Sequence, residues 1–195
     1  MESLIDEETP EELETAFQRF REFAPTLESA LSTQRILKEY KTLVRTKECK
    51  GIHTEFENGS NIYVWNIHID MNKYQISSIL NSDFDAYVQR NPGRKKELVF
   101  EVRYGQNYPS EPPFVRVIRP RFSFRTGHIT IGGSVCIHGL TTSGWNPDRN
   151  IDGILMEILS NIAEGHGRLD CYHDRDYTLN EAEIAFRRAL RVHGW

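Results

Sequence analysis

Cysteine is scarce in this sequence, with three in 195 residues. That odd, small number excludes a disulfide framework and leaves each thiol as a free group, a ligand or a nucleophile in a reducing compartment. Long apolar runs are absent too. No stretch approaches the roughly 18 residues that span a bilayer, so a membrane role is not expected. There is no basic excess: the net charge of −4 lacks the balance of a general nucleic-acid binder, and nucleic acid is not an expected partner. The opening residues, Met1 to Glu8, lack the basic-then-apolar order of a secretory signal, which points to an intracellular protein, cytoplasmic or nuclear. No internal repeat or low-complexity tract interrupts the chain. What remains is an ordinary globular composition, 38% hydrophobic and 27% charged, at a length suited to one domain plus a short appendage.

Periodicity divides the chain. Thr9 to Phe23 opens with a cap residue, proline and acids, then places Leu13, Phe17 and Phe20 on one face, which predicts an amphipathic N-terminal helix. A second helix follows Pro25 through Leu31, Ile36, Leu43 and Val44, with a basic polar face. From Gly51 the period becomes two: strands over 52–56 and 62–69, joined at Asn58-Gly59. Helical spacing returns over 74–87 and stops at Asn91-Pro92-Gly93, and strands follow at 98–102 and 114–118. Residues 120–147 have almost no periodicity, which is long for a structureless loop in a compact domain and marks a functional segment. Helices over 151–162 and 179–192 close the chain.

Cys136 stands inside that aperiodic segment. It follows Gly127-His128-Ile129-Thr130-Ile131-Gly132-Gly133-Ser134-Val135 and precedes Trp145-Asn146-Pro147, with the proline-rich run Tyr108-Pro109-Ser110-Glu111-Pro112-Pro113-Phe114 upstream. A thiol just after a glycine turn implies a shallow, exposed site. The pairs Cys136-x-His138 and Cys171-x-His173 lack the spacing of a usual zinc site, and a metal-bound Cys136 would not be a free nucleophile.

Together, the Tyr-Pro-x-x-Pro-Pro-Phe-Val-Arg-Val run from Tyr108 to Val117, Val64-Trp65-Asn66, the glycine-rich approach to Cys136, Gly144-Trp145, and the C-terminal Tyr177, Leu179 and His193 resemble the ubiquitin-conjugating enzymes of the Q type. The resemblance implies an α+β fold, a four-stranded antiparallel meander flanked by helices, with 26–195 as the catalytic domain and 1–25 as an added helical extension. It implies an acyltransferase that accepts ubiquitin or a related modifier as a thioester on Cys136 from an activating enzyme. The acyl group then passes to an amine or hydroxyl of a protein substrate, with or without a ligase, and no metal or organic cofactor is expected. A non-catalytic binding module of the same fold is the alternative, and retention of the cysteine favours the enzyme.

The resemblance also assigns candidate residues. His128 stands eight positions before Cys136, where the main family carries the asparagine of His-Pro-Asn, and would donate to the oxyanion or to the loop. His193 and Trp195 match the Q-type tail that serves the acceptor, His193 as a base for hydroxyls. Arg35, Lys38 and Lys41 lie on the helix that meets the activating enzyme, while Pro112, Pro113, Trp145 and Pro147 fall in the two ligase-facing loops.

Overall fold

The computed structural model describes residues 30–47 and 50–194. The 1–25 extension, Cys49 and Trp195 lie outside the described residues. Helix α1 spans Ala30–Lys47, and strands β1 (Ile52–Glu57) and β2 (Asn61–Asp70) follow. After α2 (Ser78–Arg90) come β3 (Glu97–Arg103), β4 (Phe114–Arg119), α3 (Ile151–Glu164) and α4 (Leu179–His193). The strands form one antiparallel sheet in the order β1-β2-β3-β4, the expected meander. The register shifts between Phe56 and Glu57, placing a bulge at the end of β1.

Side-chain alternation decides the two faces. Trp65, Ile67 and Ile69 of β2 align with Val102, Phe100 and Leu98 of β3, and Val115 and Val117 of β4 continue the rows. All are buried, and they join Ile36 and Leu43 of α1, Leu80, Phe84 and Tyr87 of α2, and the six buried aliphatics of α3 in one core. Each such side chain is worth about 1.5–3 kcal/mol when fully buried. On the opposite face, Phe114 meets α4 through Ala182, Leu179 and Phe186 in a second, smaller cluster.

Helix α2 starts at Ser78, four residues later than its hydrophobic pattern begins. The Ser77 side chain accepts the Leu80 N–H at 3.1 Å and sets the cap there. Tyr74 and Ile76 pack on the core from the preceding turn.

A buried carboxylate couples the layers. Glu39, 5% exposed, accepts from the Tyr108 hydroxyl at 2.6 Å, the Ile151 N–H at 2.8 Å and Arg35 Nε at 2.5 Å. It thereby ties α1 to the proline loop and to the first residue of α3. Removing the carboxylate orphans these donors in a dry environment. Glu39→Ala is expected to cost at least about 2 kcal/mol, read as a lower denaturant midpoint with an unchanged m-value.

Candidate functional site

The segment that carries Cys136 is held on both sides. Toward the sheet it runs antiparallel to β4: the Val117 N–H donates to the Gly133 carbonyl at 2.8 Å, and the Val135 N–H to the Val115 carbonyl at 3.0 Å. Away from the sheet it forms a small hairpin with 128–130, in which Ile129 bridges Val135 and Thr130 N–H reaches the Ser134 carbonyl at 2.9 Å. The Thr130 and Ser134 hydroxyls, 2.7 Å apart, brace that hairpin from within. What looked aperiodic in sequence is therefore a fifth row beside β4, too short and too interrupted by glycine to show an alternation.

Register follows from these bonds. With Ile129 opposite Val135, His128 stands opposite Cys136, and its carbonyl accepts the Cys136 N–H at 2.9 Å. His128 has φ of 55°, a left-handed conformation that histidine visits more readily than most residues. Its ring lies over Gly165, where an added Cβ would come within 2.7 Å of Cδ2. The imidazole thus leans on the C-terminal end of α3, while the backbone of the same residue aligns the cysteine.

The Cys136 thiol is half-buried. Burial pushes its pKa above the ordinary thiol value, and no neighbouring charge opposes that shift. It rests as a neutral thiol at neutral pH, and becomes nucleophilic only once its proton is removed.

Helix α4 is brought to the same end of the sheet. The Tyr177 N–H donates to the Ile118 carbonyl at 2.8 Å, while Phe186 meets Phe114 edge-on with ring centroids 5.5 Å apart. The helix therefore runs antiparallel to β4, in the direction of the Cys136 segment. His193, exposed in its last turn, lies about 10 Å of helix beyond Phe186.

Two glycines make this layering possible. A Cβ on Gly132 would stand 2.0 Å from the Glu181 carbonyl oxygen and 2.8 Å from Ala185 Cβ, and one on Gly133 would enter the Tyr177 ring at 2.6 Å. The element that approaches these glycines is α4.

The start of α4 is anchored by charge. Thr178 and Glu181 form a capping box, and Glu181 also binds Arg121 Nη2 at 2.9 Å and Arg175 Nη2 at 2.6 Å. Burial raises the Glu181 carboxyl, but the Arg175, Thr178 and Arg121 bonds outweigh it and bring its pKa down to about 2. Upstream, Asp174 accepts from the Tyr87 hydroxyl at 2.6 Å and Arg94 Nε at 2.8 Å, and Arg168 grips Asp83 with two nitrogens. The 168–177 segment is pinned to α2 by these contacts, and so delivers α4 in a fixed direction.

The candidate partner residues fall into two groups. Lys38, Lys41 and Pro147 are exposed, and Pro112 is half-buried. Arg35 instead turns inward, with Nε on Glu39 and Nη2 on the Arg149 carbonyl at 2.8 Å. Trp145 is likewise engaged within the fold. Its indole N–H donates to the Pro109 carbonyl at 2.7 Å and joins the proline loop to the segment after Cys136. Pro113, in that same loop, is buried. Cys171 Sγ lies 3.4 Å from the Asp83 carbonyl and His173 pairs with Asp170 at 2.6 Å. Among the described residues no group of three or more His, Cys, Asp and Glu side chains is arranged to hold a metal ion.

Two measurements test this geometry. Iodoacetamide alkylation of Cys136, followed by peptide mass spectrometry, should accelerate as pH rises through about 8.5 and continue to accelerate above it, since only the thiolate reacts; a plateau near neutrality would contradict the burial effect. Gly132→Ala should destabilise the fold by about 1–3 kcal/mol through overpacking, with hydrogen-exchange protection lost first in α4.

No family model matches the chain. Among curated proteins it is 29% identical over 174 residues to "Ubiquitin-conjugating enzyme E2 25" of Caenorhabditis elegans, a match covering 86% of this chain and 43% of that protein. It is 27% identical over 173 residues to human "Ubiquitin-conjugating enzyme E2 Q1", covering 86% and 39%. With mouse "Ubiquitin-conjugating enzyme E2Q-like protein 1" it shares 24% identity over 82% of this chain and 95% of that one. The chain spans about two fifths of the length of the first two of these relatives. A solved Plasmodium vivax ubiquitin-conjugating enzyme matches 66% of this chain and 98% of its own at 17% identity, with a TM-score of 0.49. Over most of its length the chain is thus similar in sequence to proteins named ubiquitin-conjugating enzymes, several of them of the Q type.

Proposed function

We propose that this domain carries ubiquitin, or a related modifier, as a thioester on Cys136 between an activating enzyme and an amine or hydroxyl of a protein acceptor. The observation that carries the reading is a half-buried thiol at the end of a strand fixed on both sides, with the C-terminal half of α4 directed to the same end of the sheet.

The chemistry balances without a metal. The Cys136 thiolate adds to the thioester carbonyl of the loaded activating enzyme, and the tetrahedral intermediate collapses by expelling that enzyme's sulfur as thiolate. In the second step an acceptor amine or hydroxyl adds to the same carbonyl, loses its proton to a base, and Cys136 leaves as thiolate. Both intermediates develop an oxyanion, and preorganised donors lower its energy. The Cys136 N–H is already committed to the His128 carbonyl, so the donor has to come from elsewhere; the His128 imidazole, one hairpin row away, is our candidate. His193 is the candidate base for hydroxyl acceptors, which are poorer nucleophiles than amines. Trp195, two residues on in the sequence, is proposed to serve the acceptor with it. Lys38 and Lys41 on the exposed side of α1 are the proposed contacts for the activating enzyme, and Pro112 and Pro147 for a ligase. The compartment proposed is the reducing interior of the cell.

A mixture of this protein, activating enzyme, modifier and ATP should yield an adduct that reductant removes, and that Cys136→Ser abolishes or makes reductant-resistant. Absence of any adduct would leave the non-catalytic module. With the thioester preformed, His193→Ala should retain charging yet slow discharge to serine by about 10²-fold or more; equal loss towards free lysine and serine would sink the base assignment.

A further inference from the structure

Along the outer side of α1 lies a shallow groove of about 400 Å³, lined by Gln34, Leu37, Lys38, Lys41, Thr42 and Arg45. Its three cations are exposed and have no acidic partner among the described residues. The helix contains one acid, Glu39, which faces inward and is consumed by Arg35, Tyr108 and Ile151. Leu31, 77% exposed one turn before Gln34, adds an apolar step to the same surface. By contrast, the cleft beside α4 already has Arg121 and Arg175 paired with Glu181, and His173 paired with Asp170. The α1 groove is therefore lined by three cations and no acid.

The sequence holds a complementary segment. Seven of the 28 acids lie between Glu2 and Glu14, where there is no Lys, Arg or His; the other 21 acids are outnumbered by 24 Lys and Arg, so residues 15–195 carry +3. Leu4, Ile5 and Leu13 punctuate those acids. Fifteen residues separate Glu14 from Ala30; with 15–23 helical, as the sequence predicts, that tether still reaches about 30 Å, whereas the groove from Gln34 to Arg45 occupies only about 16 Å of helix. A short tether holds the segment at millimolar effective concentration, so weak, salt-screened attraction is enough to populate the contact.

We propose that residues 2–14 occupy the α1 groove of their own chain, pairing with Lys38, Lys41 and Arg45, and that they leave it when an activating enzyme docks. The competition rests on the docking role proposed for α1; the intramolecular contact does not. Carbodiimide coupling of the full chain at low salt, read by peptide mass spectrometry, should give zero-length links between the acids of 2–14 and Lys38 or Lys41, lost in 0.5 M salt. Links to other lysines, to a second isotope-labelled copy, or none at all would overturn the contact. Replacing the seven acids by their amides in the full chain should speed charging several-fold at low salt. Links without faster charging would overturn the competition and leave the contact standing. If the parent chain forms no links and the double variant Lys38→Glu, Lys41→Glu still charges more slowly, the contact is overturned and the docking role stands.

Discussion

The arrangement depends on how closely α4 can lie against a strand with no side chains at the point of contact. At Gly132 the helix backbone itself, the Glu181 carbonyl, stands where any other residue would place its Cβ. That approach lets Phe186 reach Phe114 and turns the helix along β4, and it covers the row that ends at Cys136. Any side chain there would push the helix away from the strand. The row that leads to the thiol and the C-terminal helix are thus packed directly together.

Around this contact, buried and half-buried carboxylates act as junctions between elements distant in sequence. Glu39 joins α1, the proline loop and α3. Glu101, on β3, receives Arg116 through two nitrogens at 2.8 Å and Arg103 at 2.6 Å, while Arg116 also donates to the Tyr177 carbonyl at the entrance to α4. Burial works against the Glu101 charge, but the two arginines more than offset it and hold its pKa below the usual carboxylate range. Such sites tolerate loss of neither partner, because the survivor is left charged or unbonded away from water. They specify geometry more than they add stability.

Much of this was legible in the sequence. Helix and strand periods located α1, the β1-β2 hairpin, β3, β4, α3 and α4, because each buries a continuous apolar face that local spacing reveals. The position of Cys136 was legible for a related reason: glycines mark where regular structure breaks. The side-chain assignments were less so. Arg35 sits in a basic run and reads as a surface cation, but its guanidinium is drawn inward by Glu39 and by a carbonyl 114 residues away. Trp145 reads as a recognition residue, and its indole is bonded to Pro109. Gly132 and Gly133 read as a turn, and only the return of the chain some 50 residues later shows that a helix packs against them. Non-local partners leave no periodic trace, and those are what decide the site.

The sheet has one further consequence. Row 133–135 and α4 seal its β4 margin, so among the described residues β1 is the unpaired edge. Any association by strand addition, whether with a partner peptide or in aggregation, is confined to that side. The bulge at Phe56 and Glu57 breaks the hydrogen-bonding row there, and the outward His53 and Glu55 place polar groups along it. The protein therefore offers incoming strands a short, interrupted template on the margin farthest from its thiol.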